Sequence, residues 1–288
     1  MPESRKDSEF INPVRKILGE AQTKNYAVGS FNVFNLETIQ AVFEACQDLN
    51  APALVQVWAG LFDMGIVDAE NINELYEIAS NQYDVEVYLH LDHGKNYNHI
   101  MQAIQAGFSS VMIDASDKNL KENIKLTREV VKTAHAVGVT VEAELGELGG
   151  ENNTGNSNSL EYTDPDEAKR FVEETGVDSL AVAIGNKHGE YEKKPELELT
   201  LLEEIHEKAD IPLVLHGASF IPLEQISSAI KRGVAKINVA TELNHSMIKG
   251  MKNALDRETQ FPNEVIETGK KSMTAKVKEK IEMFNISN

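Results

Sequence analysis

Cysteine is nearly missing from this 288-residue chain: Cys46 stands alone. No intrachain disulfide can form, and the pattern suits a reducing compartment. Long apolar runs are missing too. No segment offers the roughly 20 consecutive apolar residues that a membrane-spanning helix needs. The opening stretch, residues 1–10, is polar and lacks the apolar centre of a secretory signal. Cytoplasmic localisation is the expectation. Basic residues are also scarce, 28 Lys and Arg against 46 Asp and Glu, and the resulting net charge of −18 repels nucleic acid and anionic lipid. Neither is an expected partner. The same field disfavours an anionic small molecule, so a site for one would need a metal ion, helix N-termini or backbone amides to compensate.

What the chain does have is a regular alternation. With 41% hydrophobic residues it can bury a sizeable core. Short β-branched or apolar runs recur at residues 27–31, 53–57, 85–91, 110–113, 139–145, 179–184, 213–215 and 235–239, each of a length suited to a buried strand. Segments with helical spacing lie between them, at 36–49, 72–81, 97–105, 119–135, 164–174, 198–208 and 223–231. Gly107, Gly138, Gly176 and Gly233 follow helices, where a left-handed cap favours glycine. Eight strands alternating with helices predict an α/β fold, a (β/α)8 TIM barrel occupying 1–288 as a single domain. Helices over about 243–288, broken at Gln260-Phe261-Pro262-Asn263, read as a C-terminal arm. A doubly wound sheet is the alternative, but no glycine-rich dinucleotide fingerprint follows Phe31. The polar tract 152–159 reads as a mobile loop after the fifth strand.

In a parallel barrel, chemistry gathers at the C-terminal ends of the strands. Polar residues crowd those ends here: His90-Leu91-Asp92-His93-Gly94, Asp114-Ala115-Ser116, Glu142-Ala143-Glu144, His188-Gly189, His216-Gly217-Ala218-Ser219 and Asn238-Val239-Ala240-Thr241. Three of the eight histidines, His93, His188 and His216, are each followed by glycine at such an end. Any one alone reads as a hydrogen-bonded structural histidine. Three at equivalent places suit a catalytic zinc, which takes three protein ligands and keeps one position open.

These blocks, together with Ser30-Phe31-Asn32, Val141–Gly146, Leu213–Ser219 and Lys236–Thr241, resemble those of class II fructose- and tagatose-bisphosphate aldolases over nearly the whole chain. The resemblance implies that His93, His188 and His216 bind the catalytic divalent metal, usually zinc. It implies that Asp92 exchanges a proton with the ketose C4 hydroxyl. Asp114 and Glu144 match a second or alternative metal site, or else orient the histidines. Gly217, Ser219, Asn238, Val239, Ala240 and Thr241 match the site for dihydroxyacetone phosphate, where amides and hydroxyls accept an anion without lysines. Gly189 and Gly217 match ligands of a monovalent cation, and Asn32 a residue near substrate. Homodimers or homotetramers are expected from the family alone.

The chain also departs from the pattern. Asn152 falls where the family carries a mobile glutamate, so Glu151 is the candidate for that proton-transfer role. Trp58, Lys187, Glu192 and Phe220 differ from the usual residues around the sugar, either as neutral change at the rim or as an altered aldehyde half. Three rival readings stand beside the metal aldolase. One is a Schiff-base aldolase using Lys236. Another is a metal- and phosphate-binding barrel without turnover. The third, metal-assisted hydrolysis, is the weakest, for want of a His-x-His at the first strand.

Overall fold

The computed structural model describes residues 12–146, 162–189, 191, 195–257 and 259–285. Eight parallel strands, β1 (Val28–Asn32), β2 (Ala53–Trp58), β3 (Val87–Gly94), β4 (Ser110–Ile113), β5 (Thr140–Leu145), β6 (Ser179–Val182), β7 (Leu213–Leu215) and β8 (Val234–Val239), pair in sequence order, and β8 returns to β1. The result is the closed (β/α)8 barrel that the alternation predicts. Strands covered on both faces must read as nearly continuous apolar runs, and all but their terminal or rim residues are buried.

Ahead of β1 lies α1 (Pro13–Lys24), which the sequence reading did not include. Its start is well specified: Asn12 accepts hydrogen bonds from the N–H of Val14 at 2.8 Å and of Arg15 at 3.4 Å, and proline occupies the first helical position. Its buried residues Val14, Ile17, Leu18 and Ala21 form one stripe, which packs on Val28, Leu54 and Ala235 near the starts of β1, β2 and β8. The Asn12 amide also donates to the carbonyls of Ser109 at 3.0 Å and Gly138 at 2.6 Å, tying the helix to the bottom of the barrel.

Around the barrel run α2 (Leu36–Leu49), the single turn α3 (Gly60–Asp63), α4 (Ala69–Ser80), α5 (Tyr97–Gln105), α6 (Leu120–Ala136), α7 (Pro165–Thr175), α8 (Leu199–Ala209), α9 (Leu223–Ile230) and α10 (Thr241–Leu255). Side chains of Asn35, Asp68, Asn96, Asn119 and Asp164 accept from first-turn N–H groups, so each start is encoded locally. The last helix, α11 (Pro262–Phe284), begins with Pro262 just after the break the sequence shows. Met273, Val277, Ile281 and Phe284 enter the main core, and Lys270 reaches Glu44 on α2 at 2.7 Å. Among the described residues, no helix is long and apolar enough to cross a membrane.

Candidate active site

The end of β3 carries an irregularity from which the site is built. Pairing with β4 runs His90 to Ser110 and Leu91 to Val111, then skips to Gly94 opposite Ile113. Asp92 and His93 therefore stand opposite the single residue Met112, the arrangement of a β-bulge. In a regular strand, neighbours point to opposite faces, so one of the two would be lost to the helix side. Here His93 takes a left-handed backbone, φ 50°, and both side chains serve the same mouth. Gly94 completes the device, because a Cβ there would lie 2.7 Å from the carbonyl oxygen of Met112.

His93 meets two other imidazoles. Its ring centroid lies 4.8 Å from that of His188 and 4.8 Å from that of His216, and the latter two are 5.9 Å apart. One ring nitrogen from each lies within 4.8 Å of the others, a spacing that could hold a metal ion. The free lone pairs follow from the neighbours. His93 Nδ1 is 2.7 Å from Asp114 Oδ2, and a carboxylate only accepts, so Nδ1 carries the proton and Nε2 is left bare. His216 Nε2 is 3.0 Å from Glu142 Oε1, so in the neutral ring, the form a metal ligand must take, Nδ1 is bare. That Nδ1 is fully buried without a hydrogen-bond partner, as is Glu144 Oε2, 3.1 Å away but misaligned with it. Orphaned buried acceptors are costly. A divalent cation is the partner that such a donor set fits.

Proton affinities follow the same surroundings. Burial, reinforced by the charges of its two histidine neighbours, pushes His188 down to about 3, so its imidazole is neutral as a ligand must be. Burial opposes charge on His216 as well, but Glu142 and Glu144 outweigh it and raise the group to about 10. His93 is raised too, burial being outweighed by Asp92 and Asp114. A metal ion there competes with protons for these lone pairs. Burial likewise disfavours the Asp92 carboxylate, yet the charges of His93 and His216 prevail and keep it ionised.

Asp92 is aimed by two amides: Asn32 Nδ2 donates to Oδ2 at 3.2 Å and Asn238 Nδ2 to Oδ1 at 3.2 Å. Asn32 is itself held by Gln56, whose Nε2 donates to its Oδ1 at 2.6 Å. Beneath the histidines lies a buried polar chain that the motifs did not reveal. Ser110 Oγ meets His90 Nδ1 at 2.9 Å, His90 Nε2 meets Lys236 Nζ at 3.4 Å, and Lys236 pairs with Glu142 at 2.8 Å, which holds His216. Burial disfavours the Glu142 carboxylate, but Lys236 and His216 hold it well below the usual carboxylate range. Lys236 is fully buried and engaged in this pair, below the mouth.

At the ends of β6 to β8 the backbone is drawn close. A Cβ on Gly217, φ 61°, would lie 2.0 Å from the carbonyl oxygen of Lys187. The Tyr191 hydroxyl accepts from the N–H of Lys187 at 3.0 Å and donates to Gly217 O at 2.9 Å, while Asn186 Nδ2 donates to His216 O at 3.0 Å. These bonds lock the His188-Gly189 segment beside His216-Gly217. Beyond Asn238 and Val239, α10 starts at Thr241 with Ala240 as its cap, which offers no side-chain acceptor. Its first N–H groups are left for another acceptor. Glu242 in that first turn is neutralised by Lys280 at 2.6 Å and accepts from the N–H of Phe220 at 3.0 Å. Ser219 is buried close by in sequence to Gly217.

The profile of class II fructose-bisphosphate aldolases matches residues 12–288. The chain belongs to that family. Among solved structures it resembles the YdjI aldolase of Escherichia coli K12, at 36% identity over 94% of this chain and 96% of that one, with a TM-score of 0.85. A Coccidioides immitis protein is 31% identical over 95% and 96%, with a TM-score of 0.86. A fructose-bisphosphate aldolase of Campylobacter jejuni is 26% identical over 94% of each chain, with a TM-score of 0.82. The protein is thus an aldolase, a carbon–carbon lyase of the metal-dependent class.

In this aldolase the departures noted in the sequence have definite places. Trp58 pairs in register with Asp92, and its ring lies against Gly60 at the start of α3. Phe220 is partly exposed with φ 66°, an unusual backbone for a bulky residue, and its ring stands 5.9 Å from that of His245. Lys187 places its ammonium 5.5 Å from the ring centre of Tyr191. Glu151, Asn152 and Glu192 lie outside the described residues. The structure also brings in residues to which the sequence reading gave no role: His90, Lys95, Glu142, Gln56, Asn186 and Tyr191. Glu142 was visible as an acid two places before Glu144, on the same strand face, and that period-two spacing was the available signal.

Proposed function

We propose that the protein reversibly cleaves a ketose 1,6-bisphosphate, of the tagatose or fructose type, to dihydroxyacetone phosphate and an aldehyde such as glyceraldehyde 3-phosphate. The observation that carries this reading is the ionised Asp92, clamped between Asn32 and Asn238, beside three imidazoles whose free nitrogens converge. His93, His188 and His216 would hold a divalent ion, zinc by the chemistry of the ligand set. Such an ion supplies electrophilic stabilisation for negative charge developing on the ketose carbonyl side.

The chain's own groups do the rest. Asp92 accepts the C4 hydroxyl proton, the new C4 carbonyl forms, and the electron pair of the breaking C3–C4 bond moves toward C2. In condensation the same carboxyl returns the proton to the aldehyde oxygen. Glu151 is our candidate for the group that protonates C3 in cleavage and removes a proton there in reverse. Asn32 and Asn238 orient Asp92. The phosphate of the dihydroxyacetone half would lie on the amides and hydroxyls of Gly217, Ser219, Asn238, Val239, Ala240 and Thr241, at the uncapped start of α10. Gly189 and Gly217 would serve a monovalent cation beside it. This arrangement supplies the local compensation that a chain of charge −18 requires.

Trp58, at the strand-end position paired in register with Asp92 and with its ring against Gly60, favours a second reading of the aldehyde half, in which bulk at the rim of the mouth selects another ketose phosphate with the same metal and phosphate chemistry. A panel of fructose, tagatose and related ketose phosphates, assayed with and without chelator, tests both. We expect turnover that chelation abolishes and added zinc restores. Chelator-resistant turnover, trapped by borohydride, would instead indicate a lysine mechanism.

A further inference from the structure

A second cluster overlaps the first: His93, Asp114 and Glu144 also bring ligand atoms within 4.8 Å of one another. Its surroundings are unlike those of the three histidines. Lys95 directly follows Gly94, the last residue of β3, and its Nζ lies 2.6 Å from Asp114 Oδ2, the oxygen that also meets His93 Nδ1 at 2.7 Å. The other oxygen, Oδ1, accepts from the N–H of Ser116 at 3.2 Å and its hydroxyl at 2.7 Å. Asp114 is buried, and both of its oxygens are already engaged by donors.

We propose that the Lys95 ammonium is the resident cation of this second cluster, so that the protein holds one divalent ion, on the three histidines, and uses Asp114 to position His93. The proposal rests on the metal reading of those histidines. The charges support it. Asp92, Asp114 and Glu144 bring three negative charges to the mouth, while Glu142 is matched by Lys236. One divalent ion and one ammonium balance the three. A second divalent ion would have to displace Lys95, take Asp114 from His93 and Ser116, and sit beside an ion of its own sign across the shared ligand His93. The Lys95 side chain is 54% exposed, so it can swing into water, and the exclusion is competitive.

The test uses the full chain, stripped with chelator and dialysed to equilibrium against Zn2+ alone, with bound ion counted per chain. The wild type should hold one ion. Lys95→Met, with Lys95→Gln as a second variant, should hold two, the added ion binding about 10-fold or more tighter than any second ion in the wild type, as removal of a like charge at contact distance implies. Lys95→Arg, which keeps the charge, should hold one. One ion in the wild type and in both neutral variants would overturn the role of Lys95 and leave the histidine site standing. Two in the wild type would overturn it as well. None in the wild type would remove the metal reading itself, and the proposal with it.

Discussion

Asp92 illustrates how much a single side chain owes to its neighbours. Each of its oxygens receives one amide hydrogen, and the adjoining histidines keep it ionised despite burial. Asp92→Asn should therefore lower kcat by about 10²–10⁴ while zinc content, measured on the purified protein, stays at the wild-type level. Normal turnover would remove Asp92 from the proton transfer. Glu142 acts at one remove, through the His216 tautomer. Glu142→Gln should weaken zinc binding by about 10–100-fold in a competition titration, with the far-ultraviolet spectrum unchanged; unaltered affinity would mean that His216 needs no carboxylate to orient it. The three histidines were readable because each precedes glycine at a strand end. The pairings of His90, Glu142 and Lys236 were not, because a polar residue inside an apolar strand has no visible partner until distant strands meet. His90 and Lys236 are separated by 146 positions.

At the scale of elements, two helices with their own start signals were legible to the residue, whereas α4, capped by Asp68, begins at Ala69, three residues before the expected 72. Those at 36–49 and 97–105 coincide with α2 and α5, each opened by an asparagine cap. The bulge of β3 was not legible, since a left-handed histidine leaves no compositional mark; only the pairing of β3 with β4 reveals it. The helix α1 was missed although Asn12-Pro13 and the stripe of Val14, Ile17, Leu18 and Ala21 were present. A short helix ahead of the first strand gains its meaning from the barrel floor it covers. Asn12→Ala should destabilise the protein by about 1–2 kcal/mol, seen as a lower denaturation midpoint. No change would show that apolar packing alone seats α1.

At the scale of the molecule, Cys46 is buried in the core, and burial pushes its thiol up to about 12. A thiol reagent should leave the native protein unmodified and label one group per chain in denaturant; rapid native labelling would place Cys46 outside the core. The sequence by itself determined the barrel and the family, and it singled out the three histidines that the fold gathers, because hydrophobic period, cap residues and strand-end motifs are local properties. Only the tertiary structure decided which nitrogen of His93 and of His216 is free, that Glu142 is backed by Lys236, and that Lys95 leans on Asp114. Those facts depend on closure of the barrel, which brings side chains from remote strands within hydrogen-bond distance and removes the water that would otherwise satisfy them.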